Sequence, residues 1–280
     1  MLLKNKLQQL SSEGRALLAT NFYNFETLSG VLQAAKAKNT QIILQLSESS
    51  IQYLGLEVAA SMARTALKSY GVEGWLHLDH GSSVKIVHRC LDAGFDSVMI
   101  DASEQSFEEN IKMTAEVVKL AEKYNANVEA ELGYIAKLGQ AQLVSQYTQP
   151  EEAKIFAETT GINALAIAIG TAHGFYKETP QLQLELLSLI HEATPVALVL
   201  HGGSGIPSDQ LQAAIKRGIS KINLATETKN IFMKTLQQVL SKTDEIDLRK
   251  VFPIATGSVI KLISEKLETV SPDYTDVYVP

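Results

Sequence analysis

The sequence predicts an α/β protein folded as a (β/α)8 barrel, and three observations carry that expectation. Short, nearly continuous apolar runs alternate with helical patterns about eight times along the chain. The runs are too uniformly apolar for a sheet with one wet face, which suits parallel strands covered on both sides. Polar or ionisable side chains recur where the runs end, and this fold builds its sites at the C-terminal ends of its strands.

The elements follow in order. MLLKNKLQQLSSEGR sets Leu3, Leu7 and Leu10 on one helical face with lysines between. That is a short amphipathic helix, whereas an export signal would need an uninterrupted apolar core. The candidate strands are ALLATN (16–21), QIILQLS (41–47), WLHLDH (75–80), SVMIDA (97–102), NVEAEL (127–132), ALAIAIG (164–170), ALVLHGG (197–203) and KINLAT (221–226). Among the helices between them, FEENIKMTAEVVKLAEKY follows an N-cap at Ser106, and PSDQLQAAIKRG opens on proline and closes on glycine. No linker or compositional break divides residues 1–280. The expectation is a single barrel domain with a short N-terminal helix and a C-terminal helical extension. An open doubly wound sheet is the alternative, but no G-x-G-x-x-G follows the first strand.

Composition narrows the function. Hydrophobic residues make up 45% and charged residues 20%, enough for a large core, and the formal charge is −6. That balance argues against a nucleic-acid partner while leaving room for a local anion site. The one cysteine, Cys90, excludes an internal disulfide framework and fits a reducing compartment; its helical context, VHRCLDAG, reads as a buried inert thiol. No apolar run is long enough to span a bilayer. A cytoplasmic protein that binds neither membrane nor nucleic acid is expected.

The stretch WLHLDHG (75–81) carries two histidines and an acid into an apolar element. Strand alternation points His77 and Asp79 one way, Leu78 and His80 the other. Alone it would read as turn chemistry. Yet Asn21, Ser47, Asp101, Glu131, His173, His201, Asn223 and Thr226 also stand at or just after strand ends. Local turns do not explain so many.

His80, His173 (IGTAHG) and His201 (VLHGG) follow strands 3, 6 and 7, each with glycine next. Each alone reads as a hydrogen-bonded turn histidine. Converging at one barrel mouth, they suit zinc with an open fourth position. His88 and His191 fall in helices as surface or packing residues, and His77 precedes its strand end. Asp79, Asp101 and Glu131 can orient a histidine, bind a second ion or move a proton, and spacing leaves those roles open. HGGSG (201–205) offers backbone N–H groups and Ser204, KINLATE (221–227) adds Asn223 and Thr226, and Lys177 in HGFYK can supply charge. Together these form an anion site after strands 7 and 8.

The segments NFYNFETL, LHLDHGSS, AGFDSVMIDAS, FEENI, VEAELG, TGINALAIAIGTAHG, LVLHGGSGIP and KINLATETK resemble, in order from Asn21 to Lys229, the class II zinc-dependent ketose-bisphosphate aldolases. They look closest to the tagatose-bisphosphate and type B fructose-bisphosphate branch. The resemblance implies one zinc per subunit on His80, His173 and His201, with Asp79 exchanging a proton at the C4 oxygen. It implies Asp101 and Glu131 as supporting or alternate-metal carboxylates. Gly174, Lys177, Gly202, Ser204, Asn223 and Thr226 would hold the C1 phosphate, in some members beside a monovalent cation. Asn21 and Ser47 complete the substrate site, and a homodimer or homotetramer is implied.

Two departures stand out. The family follows AELG with a Gly-Gly-x-Glu-Asp loop whose glutamate is implicated in protonation, but residues 133–150 here contain no acid. After strand 4 the family's ASH is ASE, with Glu104 in place of histidine. The substrates implied are fructose or tagatose 1,6-bisphosphate, or a ketose 1-phosphate with another C6 group such as a sulfonate. Two other classes are a zinc barrel hydrolase and a non-catalytic sugar-phosphate-binding paralogue.

Overall fold

The computed structural model describes residues 1–133, 135, 147–176 and 180–271. Eight parallel strands close into a barrel in chain order, with the first hydrogen-bonded to the last. They are β1 (Leu17–Asn21), β2 (Ile42–Ser47), β3 (Gly74–Gly81), β4 (Ser97–Ile100), β5 (Asn127–Leu132), β6 (Ala164–Ile167), β7 (Ala197–Leu200) and β8 (Ile219–Leu224). All eight expected strands are present. Strands β4, β6, β7 and β8 end two or three residues earlier than their expected runs, because the chain there leaves the ladder for the loops of the mouth, and β8 also begins two residues earlier.

The alternation of each strand explains its composition. Outward residues such as Leu18, Leu44, Leu76, Val128, Leu165 and Leu198 pack under the helices. Inward residues form layers that grow more polar toward the mouth. At the bottom lie Leu17, Ile43, Trp75, Ala164 and Ala197. Residues two positions further along each strand include Gln45, His77, Glu129 and Val199, all buried. The next step reaches Asn21, Ser47, Asp79, Asp101, Glu131 and His201.

The N-terminal helix α1 (Leu3–Glu13) closes the bottom of the barrel. Leu3, Leu7 and Leu10 are no more than 2% exposed and pack with Trp75 and the inward residues of β6 and β7. Its α-helical period puts all three on one face, which is the only face the barrel bottom needs. Truncating Leu7 to alanine would cost about 2–5 kcal/mol by leaving a cavity there.

The outer layer includes α6 (Phe107–Ala121), α8 (Leu184–Ala193) and α9 (Ser208–Ile215). The Ser106 hydroxyl accepts from the Glu109 N–H and caps α6 as expected. In α9, Pro207 sits one residue earlier than its expected place, at the N-cap, and the helix ends before Gly218. His88 is exposed, His191 packs against Gly218, and Cys90 is buried. Beyond β8, α10 (Thr226–Leu240) and α11 (Leu248–Val270) pack together, and α11 covers α2 (Phe25–Ala37). Among the described residues no helix is long and apolar enough to cross a membrane.

Candidate metal centre and anion cradle

Strand alternation predicts Asp79 and His80 on opposite faces, yet both reach the mouth. The structure corrects this through a bulge in β3: Leu78 pairs with Val98 and Gly81 with Ile100, so three residues of β3 span two of β4. His80 takes the left-handed conformation there, with φ of 52°. A non-glycine residue in that region is uncommon and strained, and bulges near sites re-aim side chains. Glycine at 81 is required, since a Cβ there would lie 2.6 Å from the Met99 carbonyl oxygen.

The bulge brings His80 against His201, with His80 Nε2 3.1 Å from His201 Nδ1. The His173 ring lies edge-on to His80, centroids 4.9 Å apart, and 5.8 Å from His201. One nitrogen from each imidazole can share a single ion. The other nitrogens of His80 and His201 are occupied. His80 Nδ1 lies 2.7 Å from Asp101 Oδ2, and His201 Nε2 lies 2.9 Å from Glu129 Oε1. Such carboxylate partners fix the ring orientation of metal-binding histidines.

The electrostatics ask for a cation. Burial disfavours a charge on His80, but Asp79, Asp101 and Glu131 outweigh it and raise the imidazole to about 10. Burial drives His173 down to about 3, with His80 and His201 acting in the same direction. Burial pushes Glu131 up to about 8, and its Oε2 is buried without a hydrogen-bond partner, 3.8 Å from His201 Nδ1. An orphaned carboxylate oxygen and converging imidazoles fit a divalent metal, and His80, Asp101 and Glu131 form a second set able to hold one.

Asp79 stands beside the histidines, its Oδ1 3.9 Å from His80 Nε2. The Asn21 amide donates to Asp79 Oδ2 at 2.9 Å, and Asn223 approaches Oδ1 at 3.4 Å. Burial opposes its charge, but His80, His201 and the Asn21 bond outweigh that, holding the carboxyl below its usual range.

These groups wall a cavity of about 230 Å³ that Asn21, Ser47, Asp79, His80, His173, Gly174, His201, Gly202, Ser204, Asn223 and Thr226 all line. Asp101 and Glu131 instead line an adjoining cavity with Glu104, across the His80–His173 wall. Lys177 lies outside the described residues, as does most of the acid-free 133–150 loop. Ser47 also caps α3 (Glu48–Leu54) by accepting from the Ser50 N–H.

The opposite wall is built for an anion. Helix α10 points its N-terminus at the cavity; its N-cap residue Ala225 offers no capping side chain, and the Ser204 hydroxyl accepts from the Glu227 N–H at 3.4 Å. First-turn N–H groups and the helix dipole favour negative charge there. Gly202 has φ of 68°, and a Cβ on it would meet the Ala172 carbonyl oxygen at 2.4 Å. Tyr176 ties these loops together: its hydroxyl accepts from the Ala172 N–H at 2.9 Å and donates to the Gly202 carbonyl at 2.8 Å.

A family model described as class-II fructose-bisphosphate aldolase matches residues 2–273. The chain belongs to the class II fructose-bisphosphate aldolase family. A fructose-bisphosphate aldolase of Helicobacter pylori is 33% identical over 94% of this chain and 95% of its own. One of Geobacillus stearothermophilus is 39% identical over 82% and 83%. The crystal structure of the YdjI aldolase from Escherichia coli K12 matches with a TM-score of 0.85 at 31% identity, covering 97% of both chains. Members of this family are aldolases, and this chain is accordingly a lyase.

The sequence reading missed residues in two places. Tyr23, Ser49 and Lys229 edge the mouth, with Lys229 Nζ 5.9 Å from the Tyr23 ring centre. Beneath the histidines, Glu129, Lys221 and His77 are wholly buried. A signal for these three was present: they stand two positions before Glu131, Asn223 and Asp79, so they face inward one layer lower.

Proposed function

We propose that this chain is a zinc-dependent aldolase that cleaves a ketose 1-phosphate between C3 and C4 to dihydroxyacetone phosphate and an aldehyde. The observation that carries this reading is a single cavity lined by three converging imidazoles, an ionised, hydrogen-bonded Asp79, and the N-terminus of α10 with Gly202 and Ser204 beside it. The family is zinc-dependent in general, and His80, His173 and His201 are the residues that would hold the ion. A bound zinc would supply Lewis acidity beside the bond that breaks.

The chain's own groups do the rest. Gly174, Gly202, Ser204, Asn223, Thr226 and Lys177 take the C1 phosphate, the α10 N-terminus adding its N–H groups. Asn21 and Asn223 hold Asp79 toward the cavity, where it accepts the C4 hydroxyl proton as the aldehyde leaves. Ser47 and the amide of Asn21 bound the same space, and Asp101 and Glu131 would support the histidine ligands or hold an alternate metal with His80. Lys229 is the lysine among the described residues of the cavity wall and adds a positive charge for an anionic substrate, whose C6 group is phosphate or another such as a sulfonate. A homodimer or homotetramer follows from the same resemblance, as does a monovalent cation near the phosphate, and the sequence composition favours a cytoplasmic protein.

The test is a panel of ketose 1-phosphates differing in C4 configuration and C6 substituent, read by coupled detection of dihydroxyacetone phosphate. Release of dihydroxyacetone phosphate is the expected result. Release of inorganic phosphate alone would mean a hydrolase, and binding without turnover a non-catalytic protein.

A further inference from the structure

Below the histidines a chain of hydrogen bonds crosses the barrel where a plain apolar core would serve for packing. Lys221 Nζ lies 2.7 Å from Glu129 Oε2 and 3.2 Å from His77 Nε2. His77 Nδ1 lies 2.7 Å from Ser97 Oγ, which also accepts from the Asn127 amide at 2.9 Å. Lysine has donors and no acceptor, so His77 Nε2 is the acceptor and its proton sits on Nδ1. Side chains from β3, β4, β5 and β8 are thereby tied together, and Glu129 Oε1 carries the chain up to His201 on the turn after β7. His77, Glu129 and Lys221 have no exposed surface.

We infer that Glu129 and Lys221 are positioning residues that hold the proton of His201 on Nε2 and so leave Nδ1 bare toward the metal. This rests on His201 being a metal ligand. Two neighbours compete for His201 Nε2. The Asn223 amide nitrogen, a donor, stands 3.0 Å away and calls for a bare Nε2; the Glu129 carboxylate, an acceptor at 2.9 Å, calls for an N–H. A charge-assisted bond is roughly twice as strong as a neutral one, so Glu129 prevails. Lys221 matters because its ammonium occupies the other carboxylate oxygen and can only donate.

That geometry makes Glu129→Gln a tautomer switch. Lys221 accepts no hydrogen bond, so the new amide must turn its oxygen to Lys221 and its NH2 to His201 Nε2. His201 then becomes an acceptor at Nε2, and its proton moves to Nδ1, the metal-facing atom. Adding Lys221→Met removes the constraint. The amide can turn back, its oxygen to His201 and its NH2 toward His77 Nε2, which lies 3.8 Å from Glu129 Oε2 in the native protein.

The experiment has two readouts on the full chain. Imidazole 15N shifts of the metal-free protein report which His201 nitrogen carries the proton, and chelator competition reports zinc affinity. The expected wild type has a bare His201 Nδ1. Glu129→Gln should protonate it and weaken zinc by about 10–100-fold. The double variant Glu129→Gln/Lys221→Met should bare Nδ1 again and recover affinity to within about tenfold of wild type. If Glu129→Gln does not fold by thermal melting, the double variant against wild type decides. A wild type protonated at Nδ1, Glu129→Gln with unchanged zinc affinity, or a double variant protonated at Nδ1 would overturn the inference. Failure of wild-type zinc binding with Nδ1 still bare would count against the zinc reading alone.

Discussion

Replacing Asp101 with asparagine keeps the size of the side chain and removes its charge, and the hydrogen bonds around it set the outcome. The Ser103 N–H and hydroxyl donate to Asp101 Oδ1 at 3.2 and 2.7 Å, while Oδ2 takes the His80 Nδ1 proton at 2.7 Å. Asparagine can satisfy one side only. With its oxygen toward Ser103, its NH2 faces His80 Nδ1, which must turn acceptor; the imidazole proton then moves to Nε2, the atom 3.1 Å from His201 Nδ1. With its oxygen toward His80, the Ser103 backbone N–H is left without an acceptor, at about 1–3 kcal/mol. Each route weakens the metal site, and 1–3 kcal/mol corresponds to roughly 5–150-fold. Chelator competition with zinc on a folded Asp101→Asn protein is the assay, with metal-free melting as the control for folding. Wild-type zinc affinity in the folded variant would refute the reasoning.

Other outcomes follow from the same geometry. Asp79→Asn should lower kcat by roughly 10²–10⁴ with little change in KM, and unchanged turnover would assign the proton transfer elsewhere. The metal-free protein should lose stability as pH rises from 7 to 10. His80, raised to about 10 from an unfolded value near 6.5, stabilises the fold fully only below 6.5 and loses that contribution as pH climbs through 10, and Glu131, raised to about 8, acts the same way. Zinc held on His80 would replace its proton, so saturating zinc should flatten that slope; equal slopes with and without zinc in melting scans would contradict it. Gly202→Ala forces a Cβ to 2.4 Å from the Ala172 carbonyl oxygen at a left-handed position, so KM for a ketose 1-phosphate should rise steeply. An unchanged KM would remove Gly202 from the phosphate cradle.

Much of this was legible in the sequence for identifiable reasons. Parallel strands buried on both faces leave continuous apolar runs, which is why all eight were visible, while their ends were overrun where apolar residues such as Ile169 continue past the last ladder bond. Titratable residues after many strands announced the mouth. The shared reach of Asp79 and His80 was not legible, because alternation assigns them opposite faces and only the bulge reverses it. Glu129 and Lys221 were hidden within NVEAEL and KINLAT, where attention to the strand end favoured Glu131 and Asn223. Their pairing depends on β5 and β8 facing one another across the barrel, a relation that no local pattern encodes.

Stoichiometric reconstitution tests the central claim most directly. The protein is stripped with chelator, zinc is added back stepwise, and release of dihydroxyacetone phosphate is followed beside bound metal, with His201→Ala in parallel. Turnover absent in the stripped protein, returning in proportion to bound zinc and saturating near one ion per subunit, is the expected result, with His201→Ala recovering neither. Full turnover in the stripped protein, or zinc content and turnover undiminished in His201→Ala, would contradict a metal centre on His80, His173 and His201.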